Sequence, residues 1–322
     1  MTRKTKIWLI TASALILVGC ILFGGVMTML KWDFKKLSTV TYETNRYEIN
    51  ENYENISISV NTANIAFVPS ADGKTTVECY EQTKFKHSAK VENGTLEIKN
   101  TEAKKWYDHI GVNFQTTKIT VYLPAGEYGT LSVKSTTGYT EIAKDFKFDS
   151  IDISATTGRI RNAASASGDI RIKTTTGGIR MEGVTAETVD LSVSTGKITV
   201  SDVTCKKDLR LKANTGDTTL TDIACENLFS KGTTGDLILK NVIASEKFSI
   251  QRDTGDVSFE SCDAGEIFVK TDTGKISGTL RSEKDFSSCR SDTGSVRVPA
   301  TVSGGKCELI SDTGNIRIEV LK

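Results

Sequence analysis

Ten Thr-Gly pairs recur along this chain, with their glycines at Gly138, Gly158, Gly177, Gly196, Gly216, Gly235, Gly255, Gly274, Gly294 and Gly314. Successive glycines are 19 or 20 residues apart throughout. A period held that closely marks an array in which each repeat is one structural unit resting on its neighbours. The residues around each glycine say what the unit is. Two positions after it stand Ile160, Ile179, Ile198, Leu237, Val257, Ile276, Val296 and Ile316, and four after it Met181, Val200, Leu220, Leu239, Phe259 and Ile318. Seven before it come Leu131, Ile151, Ile170, Val189, Leu209, Leu228, Phe248 and Ile267, and five before it Val133, Ile153, Ile172, Leu191, Leu211, Ile250 and Val269. Apolar residues at a spacing of two define strands with one buried face. Val184, Val203, Ile223 and Val242, seven after the glycine, add one more inward side chain at a corner.

No hairpin-spaced partner exists within a repeat, so each strand is expected to pair with the same strand of the next. The predicted fold is all-β: a single-stranded parallel β-helix, or β-solenoid, of about ten rungs of 19–20 residues, preceded by one transmembrane helix. At about 4.8 Å per rung the rod is on the order of 50 Å long. The Thr-Gly pair reads as a corner, with glycine supplying positive φ and the threonines stacking as a ladder.

That reading disposes of a protease. Asp-Thr-Gly at 253–255, 272–274, 292–294 and 312–314 is the tripeptide of aspartic proteases, but here it is one variant of a corner that also carries Thr136, Thr156, Thr175, Ser194, Asn214 and Thr233 in the aspartate's place. At that place a carboxylate is expected to accept hydrogen bonds from the turn's own backbone. Asp253, Asp272, Asp292 and Asp312 should stack in one column, with Asp217, Asp236 and Asp256 close by. Like charges so near repel by about 1 kcal/mol per pair in water. Turn hydrogen bonds and the nearby Arg252, Lys270 and Arg290 are one form of compensation. A calcium ion held along the ladder is the other, and it is the one cofactor the sequence raises.

The N-terminus obeys different rules. Residues 1–6 are a basic tail with Arg3, Lys4 and Lys6, followed by an uncharged stretch at 7–30. As a helix this stretch spans about 36 Å, enough to cross a bilayer. The positive flank keeps the tail in the cytoplasm and places everything after Lys31 outside, as a single-pass protein of the cell membrane. "LVGC" at 17–20 also resembles a lipobox, which makes Cys20 a candidate for lipidation. The apolar run continues through "ILFGGVMTML", which favours an uncleaved signal anchor.

Residues 31–130 read as an irregular β cap with the first rungs, and 131–322 as the regular solenoid. "ISISVNTANIAFVP" resembles a rung with Ala63 in the glycine's place, "ENGT" carries an Asn-Gly hairpin signal, and the polar segment at 101–117 breaks the pattern. The C-terminus shows no comparable cap, so its last rung is expected to leave a free edge open to edge-to-edge self-association.

With 41 basic and 40 acidic residues the chain has no net field for nucleic acid. Seven cysteines in an exported chain suggest disulfides, and the odd number leaves one unpaired. Cys205 and Cys225 stand where other rungs carry alanine, and Cys262, Cys289 and Cys307 replace inward aliphatics, so all five read as small core hydrophobes; Cys205 and Cys225, on adjacent rungs within bridging reach, are the one pair for which a disulfide is the alternative. No zinc-type spacing accompanies His87 or His109.

A membrane span followed by serial Thr-Gly rungs, with "ISISVNTANIAFVPS", "GTLEIKN", "ITVYLP" and the "TTG-x-I" corners, resembles the bacterial Toastrack or "putative adhesin" family, to which LiaG-like envelope proteins belong. The resemblance implies a β-helix on the outer face of a bacterial membrane, linked to envelope stress and without catalytic residues. The function expected is a noncatalytic scaffold that meets an envelope protein or cell-wall component. A surface adhesin and a polysaccharide-active β-helix enzyme are the alternatives. Rungs of 19–20 residues leave little room for the long loops that build an enzyme cleft.

Overall fold

A computed structural model describes residues 2–38, 40–102 and 115–321. Most of the polar segment at 101–117, His109 included, therefore lies outside the described residues. Helix α1 (Arg3–Met29) is long and apolar enough to cross a membrane, and nearly all of its side chains are exposed. Cys20 lies on it, also exposed.

The rest is β-structure, and the expected solenoid is its main part. Equivalent strands pair in parallel and in register: Ile151 lies between Leu131 and Ile170, and Val189 between Ile170 and Leu209. The inward columns form one continuous core, with Ile160, Ile179, Ile198 and Leu237 at no more than 1% exposure. Burying each such side chain stabilises by about 1.5–3 kcal/mol. A one-residue slip would turn a whole column outward, so the hydrophobic pattern fixes the register.

Nine of the ten corner glycines have φ between 129° and 159°. Stacking imposes a second demand on them. A Cβ on Gly235 would lie 2.4 Å from the carbonyl oxygen of Gly216 below it, so no side chain of any kind fits. The corner expected near Val184, Val203, Ile223 and Val242 is made by a residue that the sequence reading did not single out. Six residues after the glycine, Gly183, Asp202, Asp222, Asn241 and Ser261 all adopt φ of 51–66°. Glycine, asparagine and aspartate are the residues that enter this region most readily, which is why they recur there. The corner turns the chain into a third short side, on which Val184, Val203, Ile223 and Val242 point inward.

Both ends of the stack depart from chain order. At the N-terminal end, strands β1 (Tyr42–Ile49), β2 (Asn55–Thr62), β3 (Asn64–Pro69), β4 (Thr75–Gln82), β5 (His87–Glu92), β6 (Thr95–Asn100) and β7 (Lys118–Leu123) form the first rung and its cover. β2 and β3 make the first rung, with Ala63 on the glycine corner and Thr62 opposite Thr137. β6 lies parallel on β2 and β7 parallel on β3, so together they occupy the place of a further rung. Antiparallel β5, β4 and β1 then close over them. The Asn-Gly signal makes the β5–β6 hairpin, with φ of 49° at Asn93 and 72° at Gly94.

At the C-terminal end the rungs are stacked out of sequence. The strand Gly305–Thr313 pairs on one side with the strand ending at Thr273 and on the other with Arg290–Thr293. Ile316–Val320 likewise lies between Ile276–Leu280 and Val296–Arg297. The spatial order of corners is thus Gly255, Gly274, Gly314, Gly294. This corrects the expected free edge: the last rung of the chain is internal, and the open edge belongs to the Gly294 rung. The physical reason lies in the columns. The Gly314 rung brings Cys307, Leu309, Ile316 and Ile318, all buried, whereas the Gly294 rung has Ser287 in an aliphatic place and Pro299, which has no N–H to donate. Proline belongs on an edge, so the weaker rung ends the stack.

Candidate functional site

Side chains that could act on a partner must stand on the outward positions of the rungs, and in-register stacking lines these up in columns. On the strand that leads into the Thr-Gly corner, one outward column runs Lys134, Ser154, Lys173, Ser192, Lys212, Lys231, Gln251, Lys270. The next column carries Asp152, Arg171, Asp190, Arg210, Phe229, Ser249 and Phe268. Phe229 and Phe268 are half-exposed, and the Arg210 guanidinium sits over the Phe229 ring, 5.1 Å from its centre. On the side of this second column away from the lysines lies a shallow depression of about 270 Å³ lined by Asp169, Ile170, Arg171, Thr188, Asp190, Asp208 and Arg210. Asp169 pairs with Arg171 at 3.0 Å and Asp208 with Arg210. Partial burial pushes the Asp208 carboxyl up, but hydrogen bonds from Arg210 and Asn227 outweigh it and hold the group below its ordinary value. This face is long, flat, cationic along one column and partly aromatic along the next.

The aspartates singled out from the sequence divide into two columns with different chemistry. Asp217, Asp236 and Asp256, just past the glycine, accept hydrogen bonds from the neighbouring rung. Asp236 N–H donates to Asp217 Oδ1 at 3.1 Å, Asp256 N–H to Asp236 Oδ1 at 2.8 Å, and Lys275 N–H to Asp256 Oδ1 at 2.8 Å. Asn64 and Asn315 serve Tyr139 N–H and Ser295 N–H in the same way, each at 2.9 Å. The second column runs in space Asp253, Asp272, Asp312, Asp292, following the displaced rung order. Among the described residues, Asp253, Asp292 and Asp312 make no side-chain hydrogen bond, so the expected bonds to their own turn are not the ones formed. Asp272 pairs with Lys270 at 3.0 Å.

Arg252 does not compensate this ladder, because period two turns it inward. It is 2% exposed in the core, where Nη2 donates to Ser230 Oγ at 2.9 Å while Nε and Nη1 have no partner. Desolvation pulls its pKa down to about 10. Its head occupies the space left by Gly232 on the rung below, where a Cβ would lie 1.6 Å from Nη1. The sequence signal was there: Ser230 and Gly232 both interrupt inward columns in the rung next to an inward arginine.

A second polar group missed by spacing rules is buried in the cap. Cys79 and Glu81 share the inner face of β4, and His87 opens β5; all three are at most 3% exposed, with their candidate ligand atoms within 4.8 Å of one another. These donor types suit zinc. Hydrogen bonds already engage the nitrogens and oxygens, however. Asn61 N–H donates to Asn100 Oδ1, which turns the Asn100 amide toward His87 Nε2 at 3.1 Å. Nδ1 is then the protonated nitrogen, and it donates to Glu81 Oε2 at 2.5 Å, alongside His87 N–H at 2.7 Å. Asn45 donates to the other Glu81 oxygen at 2.7 Å. Burial, with Glu81 and Glu78 nearby, pushes the Cys79 thiol up to about 12, so it stays protonated. Cys205 and Cys225 are free, buried thiols, both raised to about 12 by burial.

The sequence matches the family model described as Toastrack DUF4097 twice, over residues 53–209 and 205–321. Among solved structures, a "putative lipid binding protein" from Parabacteroides distasonis is similar with a TM-score of 0.51 at 16% identity, covering 75% of this chain and 98% of its own. A "putative adhesin" from Parabacteroides merdae has a TM-score of 0.49 at 11% identity, covering 87% of this chain and 96% of its own. A third, a "putative adhesin" from Bacteroides fragilis, has a TM-score of 0.39 at 16% identity over 87% of this chain and 97% of its own. No curated protein matches the sequence.

Proposed function

Since the chain belongs to the Toastrack DUF4097 family, we propose that it is a noncatalytic scaffold, anchored by α1, whose extracytoplasmic rod binds an envelope protein or cell-wall component through its lysine-bearing face. The observation that carries this reading is the in-register face itself. Five lysines recur along one column, at 134, 173, 212, 231 and 270, beside the half-exposed Phe229 and Phe268. Repeated cations on a rigid, flat support suit an extended anionic partner, whose charges are met one after another. Two aspartates in the depression, Asp169 and Asp208, are held by arginines, a structural engagement and not the poised acid–base pair that polysaccharide cleavage requires.

The same face would serve a surface adhesin if the partner belonged to another cell. One experiment addresses both readings. Full-length protein, tagged at its C-terminus, is cross-linked in intact cells, and K212E/K231E/K270E is compared with the native chain. Cross-linked envelope polymer or envelope protein that falls at least about tenfold in the variant is the expected result. Equal cross-linking by both proteins overturns the assignment of the face, and cross-links formed only on mixing with a second cell type favour the adhesin. Resistance of the C-terminal tag to external protease would overturn the topology.

A further inference from the structure

The Gly294 rung is the least supported part of the stack. Its strands Arg290–Thr293 and Val296–Arg297 pair on one side only, and Val296 and Val302 are 39% and 80% exposed. At its start Cys289 leans onto the rung beneath, where Cys289 Sγ donates to Cys307 O at 3.4 Å. Among the six cysteines of the β-structure these two sulfurs differ from the rest. Cys79, Cys205, Cys225 and Cys262 are fully buried, with thiols raised by desolvation. Cys289 is only half-buried, and the neighbouring Cys307 thiol and Leu309 backbone hold it below the ordinary thiol range despite its burial. Cys307 is fully buried, and its thiol is raised. A half-exposed thiol set against a buried cysteine of the next rung is the arrangement of an attacking and a resolving cysteine.

We propose that Cys289 and Cys307 are a disulfide-forming pair that fastens the outermost rung to the Gly314 rung beneath it. The oxidant is a small-molecule disulfide. The Cys289 thiolate attacks one of its sulfurs, forming a mixed disulfide and expelling one thiolate, which takes up the proton Cys289 gave to solvent. Cys307 then loses its proton and attacks the Cys289 sulfur, expelling the second thiol. Two protein thiols are oxidised by two electrons in total, and the oxidant disulfide is reduced to two thiols. Because the oxidant is supplied in solution, the test below does not depend on where the chain resides in the cell or on what its face binds.

Full-length protein in detergent is first reduced, then desalted, and incubated with oxidised glutathione. Remaining thiols are alkylated in denaturant and the peptides are mapped without reduction. The Cys289 and Cys307 peptides are expected to be joined, with the chain lighter by two hydrogens, while Cys79, Cys205, Cys225 and Cys262 carry the alkyl group. Alkyl or glutathione adducts on both Cys289 and Cys307 would overturn the pairing. A second measurement tests the fastening in the unmutated chain. Trypsin cleavage after Arg290 and Arg297 is expected to slow at least about tenfold on oxidation and to recover on adding reductant. A linked chain cleaved at the reduced rate would overturn the mechanical role.

Discussion

At Gly235 two constraints coincide: a φ of 129° and a carbonyl oxygen of the stacked Gly216 where a side chain would begin. Gly73 has a φ of 70° but open space around it, so it isolates the first constraint from the second. Gly235→Val is therefore expected to cost about 3 kcal/mol or more and Gly73→Ala about 1 kcal/mol, read by denaturant unfolding. Equal losses would mean that stacking plays no part. The core pair Gly232 and Arg252 gives a sharper case, because one residue fills the other's space. Gly232→Ala should destabilise by about 1–3 kcal/mol, and Arg252→Ala in the same chain should recover much of that loss. Additive losses in the double variant would show that the two do not share that space. Arg252 was the least legible residue of the core. Its charge suggests a surface, and only its place in the inward alternation, beside Ser230 and Gly232, reveals otherwise.

Among elements, the corner columns show how a repeat tolerates stacked carboxylates. Where the carboxylate follows the glycine it meets a backbone N–H of the next rung, and repulsion is offset by a charge-assisted hydrogen bond. Where it precedes the threonine it faces water. Asp236→Ala is expected to cost about 1–2 kcal/mol, since it strands the Asp256 N–H, whereas Asp253→Ala should fall within about 0.5 kcal/mol of the native chain. Reversal of that order in melting experiments would contradict the assignment. A calcium titration of the native chain reports on the water-facing column, and an unchanged Tm is the expected outcome. The strands and the Thr-Gly corner were legible because their signals repeat ten times. The second corner was equally present as Gly183, Asp202, Asp222, Asn241 and Ser261, but its residue types vary and its φ could only be seen in the fold. The Glu81–His87 pair was illegible, because a Cys-x-Glu on one strand and a histidine on the next form no spacing motif until β4 and β5 are placed.

Taken as a whole, the molecule is a rod covered at one end by antiparallel strands and ended at the other by its weakest rung. The rung order makes a prediction that a simple stack does not. Removing residues 304–322 deletes the rung on which the Gly294 rung lies, so proteolysis after Arg290 and Arg297 should become fast while cleavage in earlier rungs stays slow. Protection of both sites in the truncated chain would restore sequential order. Ser287 and Pro299 mark the weaker rung only once the stacking is known, and periodicity alone could not say that the chain passes over one layer and returns beneath it.

That return has a consequence for how such a rod is made and how it can change in length. A chain delivered from its N-terminus cannot seal residues 284–303 in place as they arrive, because the layer that supports them is synthesised after them. Completion thus waits for the tail. By the same geometry, a rung added at this end of the stack would have to rest on the exposed edge of the Gly294 rung.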